Sequence, residues 1–326
     1  MTTHIPEPRI AVPERLLADG MRGFDPAAEV VDLAGETMGT IWRVRAAINA
    51  GVDQDQLHSG IQQRLDDIVR QMSHWDGSSL LCTFNQADAG TWHNLPRDFA
   101  QVITCALAIA EASGGAFDPA IGRLTDVWGL GPNEASGEPS AAEISEALAH
   151  SGWQRLAFDA ATNRLRQPGG LWLDLSGIAK GFAADAVADW LAERGVFHAL
   201  TEIGGECAGC GIRPDGDPWW VDAEAPSRFT GPPLRIALHQ LGIATSGDYL
   251  AGAHTIDPAT GRLSLHSTSA VTVIHESCMI ADAWASALLV VPVEEARSLA
   301  TRHHICARLL SRNGEEWISP ALTAML

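Results

Sequence analysis

Residues 173–181 read LDLSGIAKG and bring a carboxylate (Asp174), a hydroxyl (Ser176), an ammonium (Lys180) and two glycines to one strand-to-helix junction. Free backbone N–H groups at a helix start, with the positive end of its dipole, attract anions. A second set lies in ADAWASALL, where Asp282 and Ser286 are four residues apart and stack on one face of an otherwise apolar helix. Burying either group unpaired costs several kcal/mol, so they must be hydrogen-bonded or hold a cation. Hard oxygen ligands at that spacing suit Mg²⁺ better than zinc. A third set, Ser246, Asp248, Tyr249, His254 and Asp257, falls in the Gly/Pro-rich stretch 245–263, read as a loop, where polar side chains tend to serve function.

Each set has a plainer reading. Asp174 and Ser176 can simply cap a helix with Lys180 solvated, and the 245–263 stretch can be a series of Asx and Ser/Thr turns. Known phosphate loops do not match, since neither G-x-x-x-x-G-K-[ST] nor G-x-G-x-x-G is present. A Ser/Lys catalytic pair needs S-x-x-K, whereas Ser176 and Lys180 are four apart. Cys207-Ala-Gly-Cys210 has no second ligand pair and reads as structural. The junction on its own therefore stays open between a capped helix and an anion site.

The elements that must carry these groups follow from periodicity. Leu57, Ile61, Leu65, Ile68 and Met72 recur at three and four, the mark of an amphipathic helix. A second helix runs through DFAQVITCALAIAEA to Gly114-Gly115, and a third opens at an N-cap Ser140. Residues 37–48 alternate as one half-buried strand, and LWLDL at 171–175 alternates likewise. A helix from Ile178 to Arg194 then begins behind an N-cap Ser176, with Asp185 facing away from its apolar stripe. HALTEIGGECAGCGI and WWVDAEAP flank a PDGD turn as a hairpin would, and CMIADAWASALLVV is a buried helix. Hairpins mixed with crossover helices give an α+β class. Residues 1–28 read as a loose arm before a single large domain, 29–326, of two intimate subdomains.

Composition narrows the partners. The formal charge is −18, from 40 acids against 22 bases, which repels nucleic acid and anionic membrane. An anionic substrate would need a metal ion or oriented amides. The N-terminus shows neither a signal-peptide core nor a nearby Cys for a lipid, no apolar run is long enough to span a bilayer, and the isolated cysteines suit a reducing compartment. A cytoplasmic location is expected.

Taken in order, the stretches resemble the ApbE family, the FAD:protein FMN transferases, over roughly residues 35–300. The resemblance rests on Met38-Gly39-Thr40, on Met72-Ser73 with Trp75 and Phe84-Asn85, and on Ala116 to Pro119 with Trp128. It continues through Asp174 to Gly181, Gly204-Gly205, Thr245 to Tyr249, His254 to Gly261, and Asp282 with Ser286. It implies a T-fold-like arrangement of mixed and antiparallel sheets, and transfer of FMN from FAD to a Thr or Ser hydroxyl of a target protein with release of AMP. It also implies Mg²⁺ on Asp282, Ser286 and the Gly177 carbonyl. FAD contacts would come from Met38, Trp75, Ala116, Phe117, Asp118, Asp174, Lys180 and Ile256, and His254 would be the base. Ser286 stands where the family usually has Thr, Trp75 where many members have Tyr, and Ala120 and Arg123 also depart from the pattern.

Overall fold

The computed structural model describes residues 7–13, 15, 18–133, 137–248, 254–264 and 266–326. Its centre is an eight-stranded sheet whose strands follow one another in chain order: β1 (Glu29–Thr37), β2 (Thr40–Ile48), β3 (Ala199–Ile203), β4 (Glu206–Cys210), β5 (Leu241–Gly247), β6 (Thr268–His275), β7 (Cys306–Ser311) and β8 (Glu316–Ile318). Every neighbouring pair is antiparallel. Residues 37–48 are thus not one strand. Met38 and Gly39, at φ 49° and 71°, form a two-residue turn between β1 and β2, with Thr37 opposite Thr40. Gly204 and Gly205 make the equivalent turn between β3 and β4. HALTEIGGECAGC therefore closes on itself, while Trp219–Asp222 pairs instead with Leu234–Leu238 in a smaller sheet, so no hairpin forms across PDGD.

Both faces of the large sheet are covered, which is why several of its strands lack clean alternation. Ala199, Ala208, Ala244 and Val273 point into a core shared with α1 (Gln54–Met72), α2 (Arg97–Ala112), α3 (Ala179–Ala192) and α4 (Cys278–Val290). Leu200, Cys207, Ile243 and Ile274 point the other way, onto the smaller sheet and the C-terminal residues Leu322 and Met325. Arg9–Ala11 belongs to that second layer: it pairs in parallel with Leu234–Ile236, and Ala11 is fully buried. Residues 9–11 of the expected loose arm are therefore anchored there, because an added strand supplies backbone partners to the edge of the smaller sheet.

The helix stripes predicted from spacing are observed. Leu57, Ile61, Leu65, Ile68 and Met72 are all buried, each contributing about 1.5–3 kcal/mol. Ser140 caps its helix in a reciprocal box with Glu143. Among the described residues no helix is long and apolar enough to cross a membrane.

Candidate active site

LWLDL pairs with no strand, although Leu171, Leu173 and Leu175 are buried as alternation requires. Its backbone is satisfied by side chains and loops. Asn85 both donates to the Leu173 carbonyl and accepts from the Leu173 N–H, at 3.1 and 2.7 Å. Gln167 donates to the Leu171 carbonyl, Gly122 to that of Trp172, and the Asp174 N–H donates to the Pro119 carbonyl. This segment delivers Asp174 to the site. Its carboxylate accepts from Thr125 (2.5 Å) on one oxygen and from the Ser176 N–H and hydroxyl (2.8 and 2.6 Å) on the other. His74 Nδ1 lies 3.6 Å from the same oxygen. Ser176 is consequently held by Asp174 and is not the N-cap of α3; Ile178 occupies that position without a side-chain bond.

The cap that α3 needs comes from α4. Asp282 Oδ2 accepts from the Gly181 N–H at 2.9 Å, and in return Asp185 on α3 accepts from the Ser277 hydroxyl and the Cys278 and Met279 N–H groups at the start of α4. Asp185 is thus turned inward, contrary to the expectation that it faces away, because three donors at a buried helix end require an acceptor. The helices can cross this closely because residue 181 is glycine: a Cβ there would sit 2.4 Å from the Cys278 carbonyl oxygen. At Gly177 a Cβ would fall 2.9 Å from Ser286 Oγ, so the turn and the Ser286 hydroxyl are in near contact. Ser286 Oγ is also 3.2 Å from Ser246 Oγ, which lies on β5 and not in a loop.

These groups line a cleft of about 510 Å³ whose walls include Trp75, Ala116, Phe117, Asp118, Asp174, Gly177, Lys180, His254, Ile256, Asp282 and Ser286. All but one of the residues that the family resemblance assigns therefore meet there. Met38 does not line it and packs at the β1–β2 turn. The departures at Ala120 and Arg123 also fall outside the wall; Arg123 stacks on Trp172, 3.9 Å from its ring centroid. His254 and Ile256 are brought in by a hairpin that Trp128 ties down through a 2.8 Å bond to the Gly261 carbonyl. Asp257 serves that hairpin's turn, accepting from Ala259 and Thr260. Asp248 pairs with Arg312, and Tyr249 lies outside the described residues. Trp75 is 66% exposed, an open ring face at the cleft.

Two members of the site had no sequence signal, Glu206 and His74. Lys180 donates to buried Glu206 at 2.5 Å. Burial opposes the ammonium, but the Glu206 and Asp282 carboxylates outweigh it and raise Lys180 above the ordinary lysine range. Burial raises the carboxyls of Glu206 and Asp282, against the attraction of Lys180. Asp118 is pushed up to about 6 by burial, despite bonds from the Ala120 and Trp153 N–H groups. Asp174 goes the other way: its burial would raise it, but His74, Ser176 and Thr125 together hold it well below the usual carboxylate range.

The model of the ApbE family matches residues 38–309. The chain belongs to the ApbE family. Its relatives include the FAD:protein FMN transferase of Salmonella typhimurium, 32% identical across 92% of this chain and 90% of that protein. Among solved structures, an ApbE flavin transferase from Vibrio cholerae superposes with a TM-score of 0.86 at 32% identity, covering 92% of this chain and all of that one. The apo form of the Pseudomonas stutzeri flavinyl transferase ApbE gives 0.85 at 33%, covering 91% and 97%. The ApbE fold thus accounts for the α+β architecture, and the cleft lies within the matched residues.

Proposed function

We propose that this chain is an FAD:protein FMN transferase, moving FMN from FAD onto a Thr or Ser hydroxyl of a target protein and releasing AMP, with Mg²⁺ held by Asp282, Ser286 and the Gly177 carbonyl. The observation that carries this reading is the convergence, in a chain of the ApbE family, of the Gly177 turn, the Asp282 carboxylate and the Ser286 hydroxyl on one cleft. The donor set fits a hard cation: all three are oxygens, and Asp282 Oδ1 accepts no hydrogen bond among the described residues. When bound, Mg²⁺ would neutralise charge on the diphosphate.

The protein's own groups supply the remainder. Trp75 offers a ring face for stacking, with Phe117 and Ile256 as apolar walls. The acceptor oxygen forms a bond to the FMN phosphorus while the bond from that phosphorus to the bridging oxygen breaks, and AMP leaves with the bonding pair. The hydroxyl proton passes to the His254 imidazole, which lines the cleft and accepts it as general base. Incubating the protein with FAD, Mg²⁺ and a Thr-bearing acceptor protein tests this by mass spectrometry. A covalent FMN adduct with equimolar AMP is expected. AMP without adduct would make the chain an FAD pyrophosphatase, and intact bound FAD a flavin-binding protein.

A further inference from the structure

His74 is the part of the site that neither its residue type nor its spacing singled out. It borders both the main cleft and an adjoining cavity of about 210 Å³, and Trp75 tilts over it with ring centroids 5.4 Å apart. The described residues of the main cleft offer a substrate five carboxylates, Asp118, Asp174, Glu206, Glu224 and Asp282, against one lysine, and that lysine is already paired with Glu206. Asp174 has its oxygens engaged by Thr125 and Ser176, so its side chain is occupied with positioning and holds His74 from the remaining side. The second ring nitrogen of His74, Nε2, is covered and has no hydrogen-bond partner among the described residues. A buried donor left in that state is relieved by an incoming acceptor.

We propose that His74, as an imidazolium paired with Asp174, is a further substrate-recognition residue that supplies positive charge to an otherwise acidic cleft, so that FAD binds more tightly to the protonated protein. This inference rests on the reading of the cleft as an FAD site. Burial alone would lower His74, but the bond and charge of Asp174 outweigh it and raise the imidazole above its ordinary 6.5, so the cation persists toward neutral pH. The sign follows: affinity is high while His74 is protonated and falls as pH rises through its titration. Asp118 and Glu206 also line the cleft with carboxyls raised by burial, so their share of any slope stays in a His74 variant, whereas the groups around His74 itself are committed elsewhere. The Cys82 thiol donates to the His74 carbonyl, Asp76 is engaged by Ser78, and Asp126 accepts from Asn133. His150 lies outside both cavities and is the control.

The test is equilibrium binding followed by flavin fluorescence from pH 5.5 to 9 at constant salt, with FAD and with uncharged riboflavin. The dissociation constant of FAD is expected to rise about tenfold across the titration while that of riboflavin stays flat, since one unit of pKa linkage is a factor of ten. His74→Gln should lose that tenfold share of the slope, and His150→Gln, at a histidine outside both cavities, should keep the wild-type slope. An unchanged slope in His74→Gln, or an equal slope for riboflavin, overturns the proposal. Should that variant misfold, NMR titration of His74 in the wild-type protein decides: FAD should raise its pKa by about one unit, and no rise overturns the proposal. FAD binding that is tight but independent of pH would remove His74 and leave the flavin reading standing. No FAD binding at any pH would remove both.

Discussion

The starts of α3 and α4 lie against each other, and each is capped by a carboxylate from the opposite helix, yet only the start of α3 borders the cleft. Asp185 has both oxygens filled, by Cys278 on one and by Ser277 and Met279 on the other. Asp282 spends one oxygen on Gly181 and keeps Oδ1 without a hydrogen bond among the described residues. The same chemistry, a carboxylate capping a neighbouring helix, thus serves different ends. A carboxylate saturated by backbone donors is structural, whereas one left half-satisfied at a cavity retains capacity for a ligand.

Breaking the comparison at each end should separate activity from stability. Asp282→Ala is expected to lower FMN transfer by roughly a thousandfold or more, since it removes the carboxylate assigned to the cation; AMP release measures this, and near-wild-type rates would remove the metal assignment. Asp185→Ala leaves three buried donors unpaired and should cost about 3 kcal/mol in urea unfolding, while the rate per folded molecule changes little. A large loss of rate with unchanged stability would reverse the two roles.

Asp118 extends the contrast to a loop, because its oxygens are also filled by backbone N–H groups. Its pKa of about 6 exceeds the ordinary 3.8, so between those values the native protein binds more protons than the unfolded chain. Its contribution to stability is therefore full below about pH 4 and is lost as pH rises to about 6, a change of about 2 kcal/mol. Asp118→Asn should flatten that slope in unfolding curves taken at pH 4 and 6.5; an unaltered slope would show that another group carries it. The smallest effect is expected from Gly177→Ala. Its Cβ would press on Ser286 Oγ, and FAD turnover should fall about tenfold with little change in melting temperature. Unchanged turnover would separate the turn from the site.

How much of this was legible beforehand differs by the range of the interaction. The stripe of α1 and the Ser140 cap depend on residues three and four apart, and both are present. The alternation in LWLDL predicts the burial of its leucines but not their backbone partners, because nothing local reveals that Asn85 and Gln167 replace a neighbouring strand. Ser176 looked like a cap for the same reason, since the true one arrives from α4. Glu206 and His74 are isolated in sequence and gain meaning only from Lys180 and Asp174, which the fold brings to them. The resemblance supplied the cleft residues that spacing alone left undecided, and of these only Met38 stands apart from its wall.

The Gly181–Asp282 bond joins residues 101 positions apart. While the chain is being made, the leading end of α3 has no carboxylate to meet its N–H groups until α4 has followed. Ser286 arrives with the same helix. Completion of the helix pair and completion of the site are therefore one event, and a chain ended before α4 would lack both together.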